Sequence, residues 1–569
     1  MFKKSDWILI FIAFGLIVAQ VYLDLKLPEY METIIGLLRK SDSNIGEIWV
    51  TGAKMMGICA LSLGTAFVVG WIASWVAASF ALNMRNKMFN HISKFSPREV
   101  NKFSVPSLIT RISNDVFQVK MLVTMGLAVL IKAPIMAVWA LTKISGRGWQ
   151  WTTATGVAVG VMLVAFVIIA CVVLPKFKKM QIQTDNLTKV ARENLTGLPV
   201  VHAYNAAPFQ EKKFDDANHE LTQTNLTTGV WFSFLNPLLT LIISGMSLSI
   251  YLIGAILING TADLGAKAVY SESMLTFMQY AMQVIMSFMM IVMMFVMVPR
   301  AGVSLKRINE VLKTPISIVG GEKTSNTTTN NHVVFKNVSF RYPNAAECVI
   351  DGINIEVKKG ETVAIIGGTG SGKSTIVNLL PRFFDATTGE ILIDGVNIKD
   401  YNLEKLRNIV GFVSQKAVIF DGTVRDNVAY GDKNPDDERV KKALRIAQGW
   451  DFVQKIGGIE AEISRGGQNL SGGQKQRLSI ARAIYKNPDI FVFDDSFSAL
   501  DFKTDRDLRH ALRHEIHGAT QFIVSQRIGT IMDADKIVVL ENGKIVGLGR
   551  HEELLKTCHV YREIKESQL

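Results

Sequence analysis

The sequence predicts a six-helix α transmembrane domain followed by an α/β domain. Three observations support this prediction: six long apolar runs before residue 318, alternating strand-like and helix-like runs after residue 332, and a glycine-rich loop between a strand and a helix. The composition agrees, because 49% of the 569 residues are hydrophobic and only 20% are charged. Such a balance is unusual for a soluble chain of this length and is typical of a membrane protein.

The six apolar runs are each long enough to cross a bilayer, which takes ~20 residues. They lie near 7–23, 52–82, 121–143, 151–174, 230–258 and 274–298. An even number of spans puts both chain ends on one side. Lys3, Lys4 and the many lysines and arginines of segments 83–120 and 175–229 mark that side as cytoplasmic. We therefore expect a multi-pass protein of a bacterial cytoplasmic (inner) membrane, with a cytoplasmic N-terminus and a cytoplasmic α/β domain.

The net charge of +12 is compatible with nucleic acid or with an anionic membrane surface. Because the chain has membrane spans, we assign the excess charge to cytoplasmic loops and expect a lipid bilayer as partner, with no nucleic acid. The four cysteines, Cys59, Cys171, Cys348 and Cys558, are far apart and show no C-x-x-C spacing. They predict neither a disulfide framework nor a metal site, and we expect buried thiols.

The predicted domains are a transmembrane domain at 1–318, a polar linker at 319–332 and an α/β domain at 333–569. The segments 83–120 and 175–229 are polar but have a helical pattern, so they are expected to extend the spans into the cytoplasm and meet the α/β domain. The alternative is a pair of solvated hairpins. The predicted strands are Val333–Phe340, Ile353–Val357, Thr362–Ile366, Ile391–Ile393, Ile409–Val413, Ile490–Phe493, Gln521–Val524 and Lys536–Leu540.

The glycine-rich stretch Gly367-Gly368-Thr369-Gly370-Ser371-Gly372-Lys373-Ser374 fits the phosphate-binding pattern G-x-x-x-x-G-K-[ST]. It lies between a predicted strand and a helix that begins at Thr375, where backbone N–H groups face an anion. Gly367, Gly370 and Gly372 let the backbone wrap closely around phosphates. Lys373 is expected to bind the outer phosphates, and Ser374 to hold Mg²⁺. The chain is therefore predicted to bind a nucleoside triphosphate, with Thr375 in the same site.

Two further motifs accompany this loop. The apolar run Ile490–Phe493 ends in Asp494, and a buried strand that delivers a carboxylate to Mg²⁺ is the usual complement of a phosphate loop. Between the two lies Leu470-Ser471-Gly472-Gly473-Gln474. With these motifs, the sequence resembles the ATP-binding cassette (ABC) family over its whole length. Six spans followed by one cassette are similar to half-transporters of the exporter type.

The resemblance implies roles for further residues. Tyr342 is expected to stack on adenine, and Gln415 to contact Mg²⁺ and the attacking water. The loop 498–501 is expected to connect paired cassettes. Two cassettes of this family dimerise head to tail, so Ser471, Gly472, Gly473 and Gln474 are expected to contact the ATP that the partner's phosphate loop holds. The cofactors implied are ATP and Mg²⁺.

Two positions depart from the family pattern. Asp495 stands where the family usually has a catalytic Glu, and Gln526 stands where it has a switch His. A general base must come within ~3 Å of its proton, and Asp is one methylene shorter. Gln cannot relay a proton as His can. We therefore expect this chain's own site to bind ATP and hydrolyse it weakly. A heterodimer with a second ABC half-transporter, which carries the Glu and the His, would place hydrolysis mainly at the partner's site. The alternative is an active homodimer.

A smaller departure precedes the signature. Ser464-Arg465-Gly466-Gly467 stands where the family often has Gly-Glu-Arg-Gly, in a region expected to contact the transmembrane helices.

The sixth span holds many methionines, which suit surfaces that bind varied apolar molecules but also fill gaps between helices. They are Met274, Met278, Met282, Met286, Met289, Met290, Met293, Met294 and Met297. Lys132 lies inside the third span, where it either lines a cavity or is paired or snorkelling. The expected function is ATP-driven export of amphipathic, multidrug-like small molecules. The alternatives are a homodimeric lipid or drug flippase and an ATP-gated channel or channel regulator.

Overall fold

The structure, a computed structural model, describes residues 3–39, 45–145, 148–323, 331–343, 345–516 and 518–568. The chain divides into two compact units. The membrane unit comprises Met1–His91 and Pro106–Lys313, and the α/β unit comprises Ile92–Val105 and Thr314–Leu569. The short segment 92–105 thus belongs with the α/β unit although it lies between two spans. Residues 324–330 of the predicted linker lie outside the described part of the chain.

The regular secondary structure of the membrane unit is all helical in its described residues. Its helices are α1 (Lys4–Arg39), α2 (Ile45–Ile92), α4 (Val105–Thr110), α5 (Val116–Met125), α6 (Lys132–Ser145), α7 (Trp149–Thr196), α8 (Leu198–Ala203), α9 (Ala207–Ser233), α10 (Leu235–Asn259) and α11 (Leu264–Lys313). The short helix α3 (Pro97–Phe103) belongs to the α/β unit. Two π-helical segments, Arg111–Asp115 and Gly126–Leu130, interrupt the third span.

Six helical stretches of the described chain are long and apolar enough to cross a membrane, which confirms the six-span prediction. They are Lys4–Leu38, Ile45–Ile92, Val105–Ser145, Trp149–Thr196, Ala207–Asn259 and Val269–Lys313. Several are far longer than a bilayer requires: α11 has 50 residues. At 1.5 Å per residue such a helix is about 75 Å long, against a hydrocarbon core of about 30 Å. The spans therefore continue as helices beyond the membrane.

The α/β unit alternates strands and short helices. Its strands are β1 (Asn331–Phe340), β2 (Ile350–Lys358), β3 (Thr362–Gly367), β4 (Thr388–Ile393), β5 (Val396–Asn397), β6 (Val410–Val413), β7 (Gly422–Thr423), β8 (Glu462–Ile463), β9 (Ile490–Asp494), β10 (Thr520–Val524), β11 (Lys536–Glu541) and β12 (Lys544–Gly549). Its helices after α3 are α12 (Lys373–Leu379), α13 (Leu403–Ile409), α14 (Val424–Val428), α15 (Asp437–Ile446), α16 (Trp450–Lys455), α17 (Gly472–Lys486), α18 (Phe502–Glu515), α19 (Ile528–Ile531), α20 (His551–Thr557) and α21 (His559–Glu566).

The larger sheet has the strand order β12-β11-β3-β10-β9-β6. Strands β11, β3, β10, β9 and β6 are parallel neighbours, and β12 is antiparallel to β11. A second sheet has the order β2-β1-β4-β5. In a parallel sheet, the loops at the carboxyl ends of the strands meet at one edge. The loops after β3, β6, β9 and β10 therefore come together, and these four loops carry most of the predicted site residues.

Strand β3 is apolar on both faces because a hydrophobic core covers each face of the sheet. Val363 and Ile365 belong to one buried core, and Ala364 and Ile366 belong to the other. Successive side chains of a strand point to opposite faces, so a strand covered on both sides has no polar position. This burial fixes the strand whose end carries the phosphate loop.

All eight strands predicted from the sequence are present, and the sequence did not predict β5, β7, β8 or β12. Ile409, predicted as the first residue of a strand, ends helix α13 instead. The expectation of buried thiols is wrong for Cys59, Cys171 and Cys348, which are exposed, whereas Cys558 is buried. Cys59 and Cys171 lie on membrane spans, where an apolar thiol suits lipid as well as it suits a protein core.

Candidate nucleotide-binding site

The phosphate loop has the backbone geometry that its glycines permit. Gly370 and Gly372 have φ values of 82° and 95°, in the left-handed region. A Cβ atom on Gly367 would lie 2.2 Å from the carbonyl oxygen of Leu540, and one on Gly372 would lie 2.6 Å from Cγ2 of Ile350. Side chains at these two positions would therefore push the loop away from β11 and β2. The glycines keep the loop tight against the sheet.

Lys373 lies at the start of α12 and is largely buried. Its ammonium group donates hydrogen bonds to the carbonyl oxygens of Gly367 at 2.8 Å and Gly368 at 2.7 Å. Burial lowers the pKa of Lys373, while the carboxylates of Asp495 and Asp494 act in the opposite direction. The loop thus holds one positive charge at its centre, where the outer phosphates of a nucleotide are expected.

Ser374 and Asp494 form the second part of the site. The Ser374 hydroxyl donates a hydrogen bond of 2.7 Å to Oδ1 of Asp494. Burial raises the pKa of Asp494, with Asp495 adding to the rise, and the Ser374 hydrogen bond and Lys373 oppose it. A hydroxyl and a carboxylate are oxygen ligands of the kind that Mg²⁺ prefers. These two residues therefore fit a Mg²⁺ ion. When bound, the ion supplies charge neutralisation to the phosphates.

Ser371 gives an independent test of whether the loop fits a phosphate ligand. Its hydroxyl oxygen is buried and has no hydrogen-bond partner in the described part of the chain. A buried hydroxyl without a partner is costly, and such groups in native proteins usually have a functional reason. A phosphate oxygen is an acceptor that would satisfy it. The unpaired hydroxyl within the glycine-rich loop therefore agrees with nucleotide binding.

Asp495 follows directly after β9 and takes a left-handed backbone conformation, with φ 46°. Its carboxylate accepts a hydrogen bond of 3.3 Å from the side-chain amide of Gln415, which follows β6. Burial raises the pKa of Asp495, and the Gln415 and Ser498 hydrogen bonds oppose the rise. The structure thus brings Asp495, the residue after Asp494, into contact with Gln415.

Gln526 is exposed in the loop after β10. Its backbone carbonyl accepts a hydrogen bond of 2.6 Å from the side chain of Gln568, whose carbonyl oxygen accepts one of 2.9 Å from the N–H of Ile528. Gln526 and Asp495 border the same groove of about 760 Å³. The sequence did not predict the Gln568 contact, because nothing local links the chain end to a loop 42 residues earlier.

Tyr342 lies beside the start of α12, which follows the phosphate loop. Its hydroxyl is 3.2 Å from the Thr375 hydroxyl, which ties the tyrosine to the start of α12. Phe340 and Phe384 pack edge-on against it, with ring centroids 4.8 and 5.4 Å away. Tyr342 also lines a groove of about 820 Å³ together with Arg98 of α3. A half-buried aromatic ring beside the phosphate loop is suited to stacking on a base. The sequence did not single out Phe384 or Arg98.

The signature residues form a separate group at the start of α17. The Ser471 hydroxyl accepts from the N–H of Gln474 at 3.3 Å, and the Gln474 side chain accepts from the N–H of Ser471 at 2.8 Å. This reciprocal capping box closes the helix N-terminus. The next residues, Gly472 and Gly473, begin the helix, and a Cβ atom on Gly473 would lie 3.2 Å from the carbonyl oxygen of Ala499. The phosphate loop, Asp494, Asp495 and Gln415 thus cluster, and the signature makes its contacts elsewhere.

Comparison with known proteins agrees with this geometry. Residues 350–498 match the family described as ABC transporter, and residues 7–288 match the family described as ABC transporter transmembrane region. The chain is 38% identical to an uncharacterized ABC transporter ATP-binding protein of Mycobacterium tuberculosis, over 91% of this chain and 88% of the relative. It is 31% identical to an ATP-dependent lipid A-core flippase of Paraburkholderia xenovorans, over 91% of this chain and 86% of that one.

A solved structure shares the fold. A bacterial Atm1-family ABC exporter with ATP bound superimposes with a TM-score of 0.82 and 23% sequence identity, over 100% of this chain and 99% of the other. A multi-pass membrane region and an ATP-binding domain in one chain define a class of ATP-driven membrane transport proteins. This chain belongs to the ABC transporter family and has the exporter fold.

Proposed function

We propose that the chain is one half of a heterodimeric exporter that moves amphipathic, multidrug-like small molecules out of the bacterial cytoplasm. Its own phosphate loop binds ATP and Mg²⁺ and hydrolyses the nucleotide weakly. Its signature, Ser471 to Gln474, completes the hydrolytic site of a partner half-transporter that carries the catalytic Glu and the switch His. The chain lies in a bacterial inner membrane, and its N-terminus and nucleotide-binding domain are on the cytoplasmic side.

The proposal depends on one observation: the binding groups are complete while the two groups for proton handling are changed. Lys373, Ser374 and Asp494 form a connected cluster. Next to them, the carboxylate of Asp495 is held by the Gln415 amide, and Gln526 presents a neutral side chain in an exposed loop. A short carboxylate held back at a strand end is a poor general base, and a glutamine cannot supply or relay a proton.

Transport would follow from differential affinity. ATP between two cassettes favours their closed arrangement, and the long helices that extend from the membrane spans provide the mechanical link to the transmembrane region. A ligand can shift such an equilibrium only by the difference in its affinity for the two states. Hydrolysis at one site resets the pair, and the other site keeps its nucleotide for longer. The asymmetry separates the two roles.

Two other functions are alternatives to this one. A homodimeric flippase has some support in the 31% identity to a lipid A-core flippase, but the paired changes at Asp495 and Gln526 argue against two equal working sites. An ATP-gated channel would need a continuous polar lining, whereas the sixth span is apolar and rich in methionine. Single-channel recording distinguishes this last alternative.

The proposal is tested by following which nucleotide the chain retains. The full chain, reconstituted with the half-transporter that copurifies with it, is incubated with 8-azido-ATP labelled on either the α or the γ phosphate, and cross-linked by light. We expect this chain to keep the γ label after the partner has lost it. Loss of the γ label from both chains at the same rate would contradict weak hydrolysis at this site.

A further inference from the structure

The membrane unit contains a polar cluster where α1 lacks one backbone hydrogen bond and where the third span is interrupted. In α1, Pro28 lacks the N–H group that would bond to the carbonyl of Asp24, four residues earlier. The side-chain amide of Gln283, on α11, donates to that freed carbonyl at 3.3 Å. In the third span, a π-helical segment ends at Leu130, and Pro134 follows in the first turn of α6. Such irregular helices within a membrane are often functional.

An ion pair joins α1 to the third span. Lys132, the first residue of α6, lies 3.0 Å from Oδ2 of Asp24, and the other carboxylate oxygen of Asp24 accepts a hydrogen bond of 2.5 Å from Ser62. Both carboxylate oxygens therefore have partners. An ammonium group has three N–H donors, and the contact with Oδ2 of Asp24 does not use all three. The cluster consequently has a surplus of donors on Lys132.

Lys132 also borders a cavity of about 200 Å³. The methionines Met282, Met286 and Met290, one helical turn apart on α11, form the apolar wall of this cavity. Gln283 lines it as well, and its side-chain oxygen is buried without a hydrogen-bond partner in the described part of the chain. The other methionines of the span differ: Met289 lines a separate pocket, Met294 is buried, and the side chain of Met293 lies outside the described residues.

We infer that this cavity is a substrate subsite that takes the anionic head group of an amphipathic molecule, a carboxylate or a phosphate, with its apolar tail on the methionine wall. Lys132 supplies the spare donors for the head group, and the Gln283 oxygen accepts from a neighbouring O–H or N–H of the ligand. The inference rests on the proposed export function and names its substrate class. The cavity volume is more than tenfold the roughly 10–15 Å³ that one water molecule needs, so the cavity has room for a head group and part of a tail.

The probe is a dodecanoic acid that carries a photoreactive diazirine, and its methyl ester is the uncharged control. The full chain is placed in nanodiscs of phosphatidylcholine, without nucleotide, and the labelled peptides are identified by mass spectrometry. We expect the acid to label the peptide containing Met282 to Met290 about tenfold more than the ester, the difference that one charge-assisted hydrogen bond gives. Equal labelling by the acid and the ester would overturn the inference.

Variants separate the ammonium group from the fold. The pair Asp24→Asn and Lys132→Met removes both charges together, so no unpaired charge stays in the membrane, and it should abolish the preference for the acid. Lys132→Arg should keep it. The matched control is Glu29→Gln with Lys143→Met, because Lys143 lies on the same helix in an ion pair of 2.7 Å with Glu29 but does not line the cavity. An unchanged preference in the first double variant, or its loss in the control, would refute the role of Lys132.

Competition identifies the source of the head group. Displacement of the probe by phosphatidylglycerol added to the nanodiscs assigns the site to an anionic lipid, and displacement by free dodecanoate alone assigns it to a free amphipathic acid. Failure of both competitors would contradict an anionic subsite. Because labelling needs neither ATP hydrolysis nor a partner chain, its result does not depend on whether the heterodimer proposal is correct. An actively hydrolysing homodimer would leave the labelling unchanged.

Discussion

At the scale of single residues, we propose that the site separates nucleotide binding from bond cleavage. Lys373 and Asp494 are buried polar groups whose pKa values burial displaces in opposite directions, lowering that of Lys373 and raising that of Asp494. Burial disfavours the charged form of each residue. The two aspartates oppose this effect at Lys373, and Ser374 and Lys373 oppose it at Asp494. Asp495 shares the buried region but bonds to Gln415. The charged groups for nucleotide binding are thus held in place by hydrogen bonds. Asp495, the group expected to activate water, is hydrogen-bonded to the Gln415 amide.

Restoring the two altered side chains should restore hydrolysis. The double variant Asp495→Glu with Gln526→His extends the carboxylate by one methylene and supplies a group that can carry a proton. General acid–base catalysis contributes roughly 10²–10⁴-fold, so we expect the ATPase rate of the chain alone to rise by at least about tenfold. Steady-state phosphate release measures it. Addition of Lys373→Met to the double variant should remove the gain, and a rate that never rises would contradict the assigned roles.

Removing the Lys373 ammonium group should weaken nucleotide binding selectively. Hydrogen bonds to charged groups contribute about 1.5–3 kcal/mol, so Lys373→Met should reduce ATP affinity by roughly 10- to 100-fold. Binding of a fluorescent ATP analogue to the full chain measures this loss. The control is Lys486→Met, since the Lys486 ammonium group also donates a hydrogen bond to a backbone carbonyl, that of Val410, at 3.1 Å. Equal losses in both variants would point to general destabilisation.

At the scale of secondary-structure elements, the carboxyl edge of the parallel sheet assembles the site, and helix α17 presents the signature. Strand register explains the assembly, since Val524 pairs with both Ile365 and Asp494, which places the ends of β3, β9 and β10 side by side. The capping box at Ser471 belongs to a different element, whose exposed N-terminus carries donors for an anion. We therefore propose that two separate elements carry the two halves of an ATP site.

The Ser471 hydroxyl should matter to the pair and little to the isolated chain. Loss of an N-cap costs about 1 kcal/mol, so Ser471→Ala should leave the α/β unit folded. We expect the ATPase rate of the reconstituted pair to fall at least about tenfold, the order expected when one donor to a developing charge is lost, while ATP binding by this chain alone is unchanged. Thr423→Ala is the control, because Thr423 forms an equivalent capping box on α14. Similar rates for the two variants would contradict a role for the signature.

Strand β1 carries a pH-sensitive group. His332 is buried, and its Nδ1 lies 2.7 Å from the Thr520 hydroxyl. Burial lowers its pKa below 6.5; Lys359 adds to this, and Asp394 and Asp489 oppose it. The unfolded histidine therefore takes up a proton at a higher pH than the folded one. Stability is full above pH 6.5 and is lost as the pH falls from there through the folded pKa.

Hydrogen exchange of the β1 amides in the full chain measures this loss. We expect local stability to fall by up to about 1.4 kcal/mol per pH unit within that range, the limit for one proton. His332→Asn should flatten the profile, and His510→Asn, at an exposed histidine of α18, should not. A wild-type profile that stays flat between pH 7 and pH 5 would exclude this linkage.

At the scale of the whole molecule, the sequence predicted the parts whose signals are local. Apolar runs give the six spans, and the glycine-rich loop and the strand ending in Asp494 give the nucleotide site. Contacts between distant segments were not predictable. The Asp24–Lys132 pair and the Gln568 contact join residues that no periodicity relates, because only tertiary packing brings them together. The exposure of Cys59 and Cys171 was mispredicted for a related reason, since lipid and protein interior look alike in a sequence.

The central claim is that this chain binds ATP but needs a different partner to split it. The direct measurement is the steady-state ATPase rate of the purified chain alone and with the half-transporter that copurifies with it. We predict a very low rate alone and a rate at least about tenfold higher in the pair, a threshold set below the roughly 10²–10⁴-fold that general acid–base catalysis contributes. In the pair, Asp495→Ala should change the rate modestly, and substitution of the partner's catalytic glutamate should abolish it. Rapid hydrolysis by two copies of this chain, lost on Asp495→Ala, would contradict the claim.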